Sequence, residues 1–206
     1  MRYVPGVDRA QRGGDSYDLA SLDAHRLICV VGDVSRRAPR AATIMTCLRN
    51  AIRADALQAD PPTVILKRTS DLLGVTREGQ YATSLFGLVD VEHHAVTLAN
   101  GGHLPPVIDE QSAHLVDTNV GTPIGVSSDE SSLSVEFSTA QGGALIAFTD
   151  GLVERRGESL DVSLEVRMVA SEGAPPTSED LLSKVVADLD NDGSDDTAIL
   201  GLRWHS

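Results

Sequence analysis

Four aspartates lie beside a glycine or beside a second aspartate, each at one end of a strand-like run: Asp15, Asp33, Asp150 and Asp195. Taken singly, each pair is typical of a turn, because aspartate and glycine both tolerate turn dihedral angles. Taken together, they would place four carboxylates at one rim of a sheet if those ends converge. Carboxylates ~4 Å apart repel by roughly 4 kcal/mol at an effective dielectric constant of 20, so such a cluster requires a cation. Oxygen ligands of this kind suit Mg²⁺ or Mn²⁺.

A pair of divalent cations at this rim would supply hydrolytic chemistry without a nucleophilic side chain. Two ions ~3.5–4 Å apart can lower the pKa of a bridging water and bind phosphoryl oxygens during in-line displacement. The sequence contains no G-x-S-x-G motif. Cys29 and Cys47 lie in apolar contexts that disfavour a thiolate, and we expect both thiols to be buried. The aspartates are therefore the candidates for catalysis.

The elements that must position these aspartates are predicted from the spacing of the apolar residues. Strands are predicted at Arg26–Val31, Ala82–Val91, Ala95–Leu98, Leu133–Phe137, Ala144–Phe148 and Thr197–Leu202, and either an edge strand or an extended segment at Leu104–Ile108, because proline donates no ladder hydrogen bond. Helices are predicted from Ala41 to a point before Pro61, from Thr63 to Leu73 with Gly74 as its stop, and at Ser178–Leu189. Helices that are grouped instead of alternating with strands indicate an α+β fold with a largely antiparallel sheet system. We expect one domain spanning residues 1–206.

Length and charge restrict the class of protein. At 206 residues the chain can bury one sizeable core. The net charge of −13 argues against a nucleic-acid partner, since phosphate backbones are bound by clustered lysine and arginine. The first residues lack the apolar segment of a signal peptide, and no later run approaches the ~18 residues of a membrane span. We therefore expect a cytoplasmic protein with no membrane partner.

A set of segments, in order along nearly the whole chain, resembles the motifs of one family. The segments are GGDSYD (13–18), VVGDVS (30–35), ATSLFGLVD (82–90), LANGGHLPPVI (98–108), GTPIGV (121–126), FTDGLVE (148–154) and SDDTAILGL (194–202). Together they resemble the PPM, or type 2C, metal-dependent serine/threonine protein phosphatases, and within them the bacterial SpoIIE/RsbU branch.

This resemblance implies a fold and a metal site. The fold is an αββα sandwich, with two antiparallel sheets face to face, helices outside, and two Mn²⁺ or Mg²⁺ ions at one end of the sheets. By the resemblance, Asp33 bridges the metals and the carbonyl of Val34 is a neighbouring ligand. Asp150 and Asp195 are further ligands, and Asp15 reaches a metal through water.

The resemblance also implies a substrate. Members of this branch commonly dephosphorylate small anti-anti-sigma (STAS) proteins in partner-switching pathways that control sigma factors. The implied substrate is therefore a phosphoserine or phosphothreonine on such a regulator. Asp18 and Asp196 are implied to support the metal ligands through hydrogen bonds.

The stretch that follows Asp33 departs from the family pattern. Residues 36–40 read RRAPR where the family normally has glycines that open the next helix, so we expect the loop to take another path. Arg36 and Arg37 are candidate substrate-binding residues, because a guanidinium pairs well with phosphate. The alternative is a solvated charge run at the start of a helix. A third interpretation is that the altered loop weakens metal binding and leaves a pseudo-phosphatase that binds a phosphoprotein without cleaving it.

Other polar residues are predicted to have structural roles. His103 is predicted to fix a turn by a hydrogen bond, and His93 and His94 to be exposed at a hairpin tip. Residues 188–193 copy the start of an EF-hand loop, but the twelfth position is Ile199, where a bidentate glutamate is required. We therefore predict no calcium site there.

Overall fold

The computed structural model describes residues 2–4, 14–35, 39–76, 81–109, 113–126, 133–139, 142–152 and 197–205. Over these ranges the strands are β1 (Arg2–Val4), β2 (Ser16–Ser21), β3 (Arg26–Val34), β4 (Ala82–Asp90), β5 (Ala95–Gly101), β6 (Val107–Asp109), β7 (Ala113–Leu115), β8 (Ser134–Ser138), β9 (Gly143–Phe148) and β10 (Thr197–Trp204). The helices are α1 (Pro39–Ala56) and α2 (Pro62–Thr76).

The strands form two five-stranded antiparallel sheets. The first sheet has the order β1-β10-β9-β6-β7, and the second has the order β2-β3-β4-β5-β8. Side chains of both sheets meet between them, where Val31 and Leu85 of the second sheet pack with Ala147 and Leu200 of the first. The predicted α+β sandwich is confirmed.

Helices α1 and α2 cover the outer face of the second sheet. Ile44, Leu48 and Ile52 recur at helical spacing on α1 and belong to one buried cluster with Ile28 and Phe86 of the sheet. Strand β3 is buried on both faces, because alternate side chains point to the helices and to the other sheet. This two-sided burial explains its continuous apolar run.

Several element boundaries differ from the predictions. Helix α2 continues past Gly74 to Thr76, so the prediction that Gly74 ends the helix is wrong. Buried Leu73 anchors this turn to the sheet, which offsets the ~1 kcal/mol helix cost of a glycine. Strands β1, β2 and β7 were not predicted, and β10 extends to Trp204. The predicted edge position of Leu104–Ile108 is wrong for its last residues, because β6 begins after Pro106 and pairs with both β9 and β7. The predicted helix Ser178–Leu189 lies outside the described residues.

Within the described ranges, no helix combines the length and apolar character needed to cross a membrane.

An ion pair joins α1 to the edge strand β2. Nε and Nη2 of Arg53 donate to the two carboxylate oxygens of Asp18 at 2.6 and 2.5 Å. The Asp18 side chain is 8% exposed and that of Arg53 is 43% exposed. Both oxygens of this buried carboxylate are bonded to one arginine, so removing the arginine would leave the carboxylate without these hydrogen bonds.

We expect Arg53→Met to lower the free energy of unfolding by about 1–3 kcal/mol, because Asp18 would remain buried without its partner. Chemical denaturation followed by circular dichroism measures this difference. Arg68→Met is the matched control, since Arg68 on α2 pairs with the more exposed Asp60 and its loss should cost at most ~1 kcal/mol. Equal losses in the two variants would contradict a special role for the Asp18 pair.

Candidate metal centre

Three of the four predicted aspartates lie together at one end of the sandwich. Asp15 immediately precedes β2, Asp33 is near the end of β3, and Asp150 follows β9 after one residue. One carboxylate oxygen from each lies within 4.8 Å of the others, and all three side chains are half-buried. Both sheets contribute, because β2 and β3 belong to the second sheet and β9 to the first. Asp195, Arg36 and Arg37 lie outside the described residues.

The donor set fits a hard divalent cation. Oxygen atoms are the ligands that Mg²⁺ and Mn²⁺ prefer, and three carboxylates at this spacing repel one another unless a cation compensates them. Asp15 accepts a hydrogen bond from Oγ1 of Thr149 at 2.6 Å. Thr149 was not predicted as part of this site, although it is a hydroxyl residue that directly precedes the candidate ligand Asp150 in the sequence.

Gly14 makes the close approach of these groups possible. The N–H of Val34 donates to the carbonyl of Gly14 at 3.2 Å. A β-carbon added to Gly14 would overlap Oδ1 of Asp33 and would lie 3.0 Å from the carbonyl oxygen of Val34. Any larger residue at position 14 therefore has to displace the Asp33 carboxylate or the end of β3.

The supporting role implied for Asp18 needs a correction. Its hydrogen bonds to Arg53 turn it toward α1. Strand alternation explains this, because Tyr17 and Leu19 pack between the sheets whereas Ala20 packs toward the helices. Asp18 therefore shares the helix face of β2 and anchors α1. Asp196 lies outside the described residues.

His103 joins the two sheets beside the centre. Its Nε2 lies 3.1 Å from the carbonyl oxygen of Phe148 on β9, and its Nδ1 lies 3.0 Å from Oγ1 of Thr83 on β4. A carbonyl only accepts, so Nε2 carries the proton and Nδ1 accepts from the Thr83 hydroxyl. Asn100 completes the arrangement by accepting from the His103 N–H at 2.7 Å and donating to its carbonyl at 2.9 Å. The hydrogen bonds that fix the turn come from the Asn100 side chain to the His103 backbone, whereas the imidazole of His103, predicted to fix the turn, bridges the two sheets.

Burial keeps His103 neutral. Desolvation of the ring lowers the pKa of His103 from 6.5 to about 4, against a smaller raising effect of the Phe148 carbonyl. His93 and His94 are exposed at the hairpin turn, as predicted.

The two cysteines differ in burial. Cys29 is buried between the sheets, and that burial raises the pKa of its thiol to about 12, which excludes a thiolate near neutral pH. Cys47 is exposed on α1, so the prediction that both thiols are buried is wrong. Its neighbours Ile44 and Leu48 belong to the buried cluster beneath α1, whereas Cys47 lies on the exposed side of that apolar stripe.

We expect Gly14→Ala to weaken Mn²⁺ binding by ~10-fold or more, because the added β-carbon displaces the Asp33 carboxylate. Isothermal titration calorimetry measures the dissociation constant. Gly74→Ala is the control, since a β-carbon there meets nothing within 4 Å. Wild-type affinity in Gly14→Ala would show that Asp33 is not held against Gly14.

His103 should make stability depend on pH between 6.5 and about 4. In that window the unfolded chain binds a proton at His103 and the folded protein does not, so stability falls as pH decreases. Between pH 7 and 5 we expect this group to contribute up to ~2 kcal/mol of lost stability. Urea unfolding of wild type and His103→Gln at both pH values isolates the effect. An equal pH dependence in the two proteins would contradict a buried neutral histidine.

Comparison with known proteins gives the family. Residues 23–205 match the family described as Stage II sporulation protein E (SpoIIE). The chain is 24% identical over 152 residues to the phosphoserine phosphatase RsbP of Bacillus subtilis (strain 168), which covers 70% of this chain and 38% of RsbP. The chain thus spans well under half the length of this curated relative.

Solved structures share the fold. The RsbU and RsbW domains of Rv1364c from Mycobacterium tuberculosis superpose with a TM-score of 0.80 at 24% identity, over 98% of this chain and 58% of that one. RsbX in complex with magnesium gives a TM-score of 0.74 at 16% identity, over 98% of this chain and 93% of that one. The match to the family extends over most of the sequence, and its fold is the one that the motifs predict. The chain therefore belongs to the SpoIIE family.

Proposed function

We propose that this chain is a metal-dependent phosphatase that hydrolyses phosphoserine or phosphothreonine in a regulatory protein. The observation that carries the proposal is the convergence of Asp15, Asp33 and Asp150 within 4.8 Å at one end of the sandwich. It occurs in a chain of the SpoIIE family, one relative of which is named a phosphoserine phosphatase.

The proposed site holds two Mn²⁺ or Mg²⁺ ions. Asp15, Asp33 and Asp150 would hold them together with Asp195 and the carbonyl of Val34, as the sequence resemblance implies. The magnesium present in the RsbX structure supports a hard divalent cation in this fold. Bound ions of this kind supply an activated water and compensate negative charge on a phosphoryl group.

The protein's own part in the reaction is to position charge. Cys29 cannot act as a nucleophile near neutral pH because its thiol is buried and protonated. His103 is committed to Phe148 and Thr83, so it is not available as a proton donor to a substrate. Both observations favour hydrolysis by water over a covalent intermediate on either side chain.

The proposed substrate is a phosphorylated partner protein, specifically a STAS-type anti-anti-sigma factor in a partner-switching pathway. Arg36 and Arg37 would contact its phosphate. We place this reaction in the cytoplasm, within a single domain spanning residues 1–206. The net charge of −13 supports a protein partner over a nucleic acid.

Hydrolysis of para-nitrophenyl phosphate and of a phosphoserine peptide tests the proposal. We expect wild-type turnover with Mn²⁺ or Mg²⁺, none with chelator, and a loss of ~100-fold or more in Asp150→Asn, because a metal ligand is removed. Asp71→Asn is the control, since this aspartate is exposed on α2. Both variants should unfold at about the wild-type temperature.

An absence of turnover with every metal, from folded protein, would sink the hydrolase proposal. If that protein still bound the phosphoserine peptide, it would be the phosphoprotein-binding module that the altered sequence at residues 36–40 suggests. Peptide affinity measured by fluorescence polarisation separates these results, because a binding module keeps its affinity in Asp150→Asn.

A further inference from the structure

We infer that Thr149 is a positioning residue, whose hydroxyl holds the Asp15 carboxylate in the orientation that binds the metal. The inference rests on the proposed function, since it concerns the same metal centre. Thr149 lies between the last residue of β9 and Asp150, and it is fully buried.

The direction of the hydrogen bond follows from the partners of Thr149. Its Oγ1 accepts the N–H of Ala198 at 2.9 Å, so the hydroxyl proton has to point elsewhere. The carbonyl of Ala198 lies 3.5 Å from Oγ1 and already accepts the Thr149 N–H at 3.0 Å. Oδ2 of Asp15 lies at 2.6 Å and is the better acceptor, both by distance and by charge.

This hydrogen bond holds a carboxylate whose orientation determines the affinity for the metal. A carboxylate on a short edge segment next to two others is driven to rotate away by their negative charge. Asp15 precedes the edge strand β2, whereas Thr149 is fixed between β9 and β10 of the other sheet. The hydroxyl therefore ties the Asp15 carboxylate to the opposite sheet.

A purely structural role of Thr149 predicts a different effect on metal affinity. Under that alternative, the Thr149 side chain only links β9 to β10 through Ala198, and its loss lowers stability without changing the metal affinity of the folded protein. Stability alone does not distinguish the two, because removing the hydroxyl leaves the Ala198 N–H unsatisfied in either case. Metal affinity does distinguish them.

The test is isothermal titration calorimetry with Mn²⁺ on folded wild type, Thr149→Val and Thr149→Ser. We expect the dissociation constant to rise by ~10- to 100-fold in Thr149→Val, as for other residues that orient a metal ligand. Thr149→Ser keeps both hydrogen bonds and should keep the wild-type affinity. Thr69→Val is the matched control, because Thr69 is also fully buried and donates to a backbone carbonyl, that of Ile65, on α2. It should lose stability and bind Mn²⁺ as wild type does.

A double-mutant cycle tests whether Thr149 acts through Asp15. If it does, Thr149→Val should weaken Mn²⁺ binding in the wild-type background and have no further effect in Asp15→Ala. Equal effects in both backgrounds would overturn the inference.

The other outcomes are also decisive. Wild-type Mn²⁺ affinity in Thr149→Val overturns the positioning role and leaves the proposed function standing. No Mn²⁺ binding by wild type overturns both. Should Thr149→Val not fold, the same titration of Thr149→Ala decides in its place: a weakened Mn²⁺ affinity supports the positioning role and wild-type affinity overturns it.

Discussion

The mutual repulsion of three carboxylates held within 4.8 Å of one another is the constraint on which the rest of this structure depends. Two carboxylates ~4 Å apart repel by roughly 4 kcal/mol at an effective dielectric constant of 20, so groups this close would separate if their backbones were free. They are carried instead by strands at the ends of two packed sheets, whose register fixes where each strand stops. The sandwich can be understood as the scaffold that keeps these groups together until a cation compensates them.

The two sheets are joined near this cluster by hydrogen bonds as well as by apolar packing. His103 connects Thr83 of one sheet to Phe148 of the other, and Thr149 connects Asp15 to the strand pair β9 and β10. Each of these polar groups is buried or half-buried and has partners, which a low-dielectric interior requires. These hydrogen bonds therefore fix the relative placement of the sheets, and with it the spacing of Asp33 and Asp150, right beside the three carboxylates.

Much of this arrangement could be predicted from the sequence because it depends on local pattern. Strands β3, β4, β9 and β10 are buried on both faces, so their continuous apolar runs are visible. Aspartates beside glycine at the ends of such runs indicate the site, and Asp15, Asp33 and Asp150 do converge. Strand β2 was not predicted because Ser16 and Asp18 interrupt its apolar residues. Asp18 is explained by its ion pair with Arg53, which lies on α1. Thr149 was missed for a related reason, since its partner Asp15 is 134 residues away and only the fold brings them together.

Anomalous diffraction at the manganese edge, from crystals grown with Mn²⁺, shows directly whether these aspartates form a metal site. We expect Mn²⁺ density among the carboxylates of Asp15, Asp33 and Asp150, with a second ion nearby. Well-ordered side chains at saturating Mn²⁺ with no anomalous density between them, or with density only elsewhere on the protein, would contradict it.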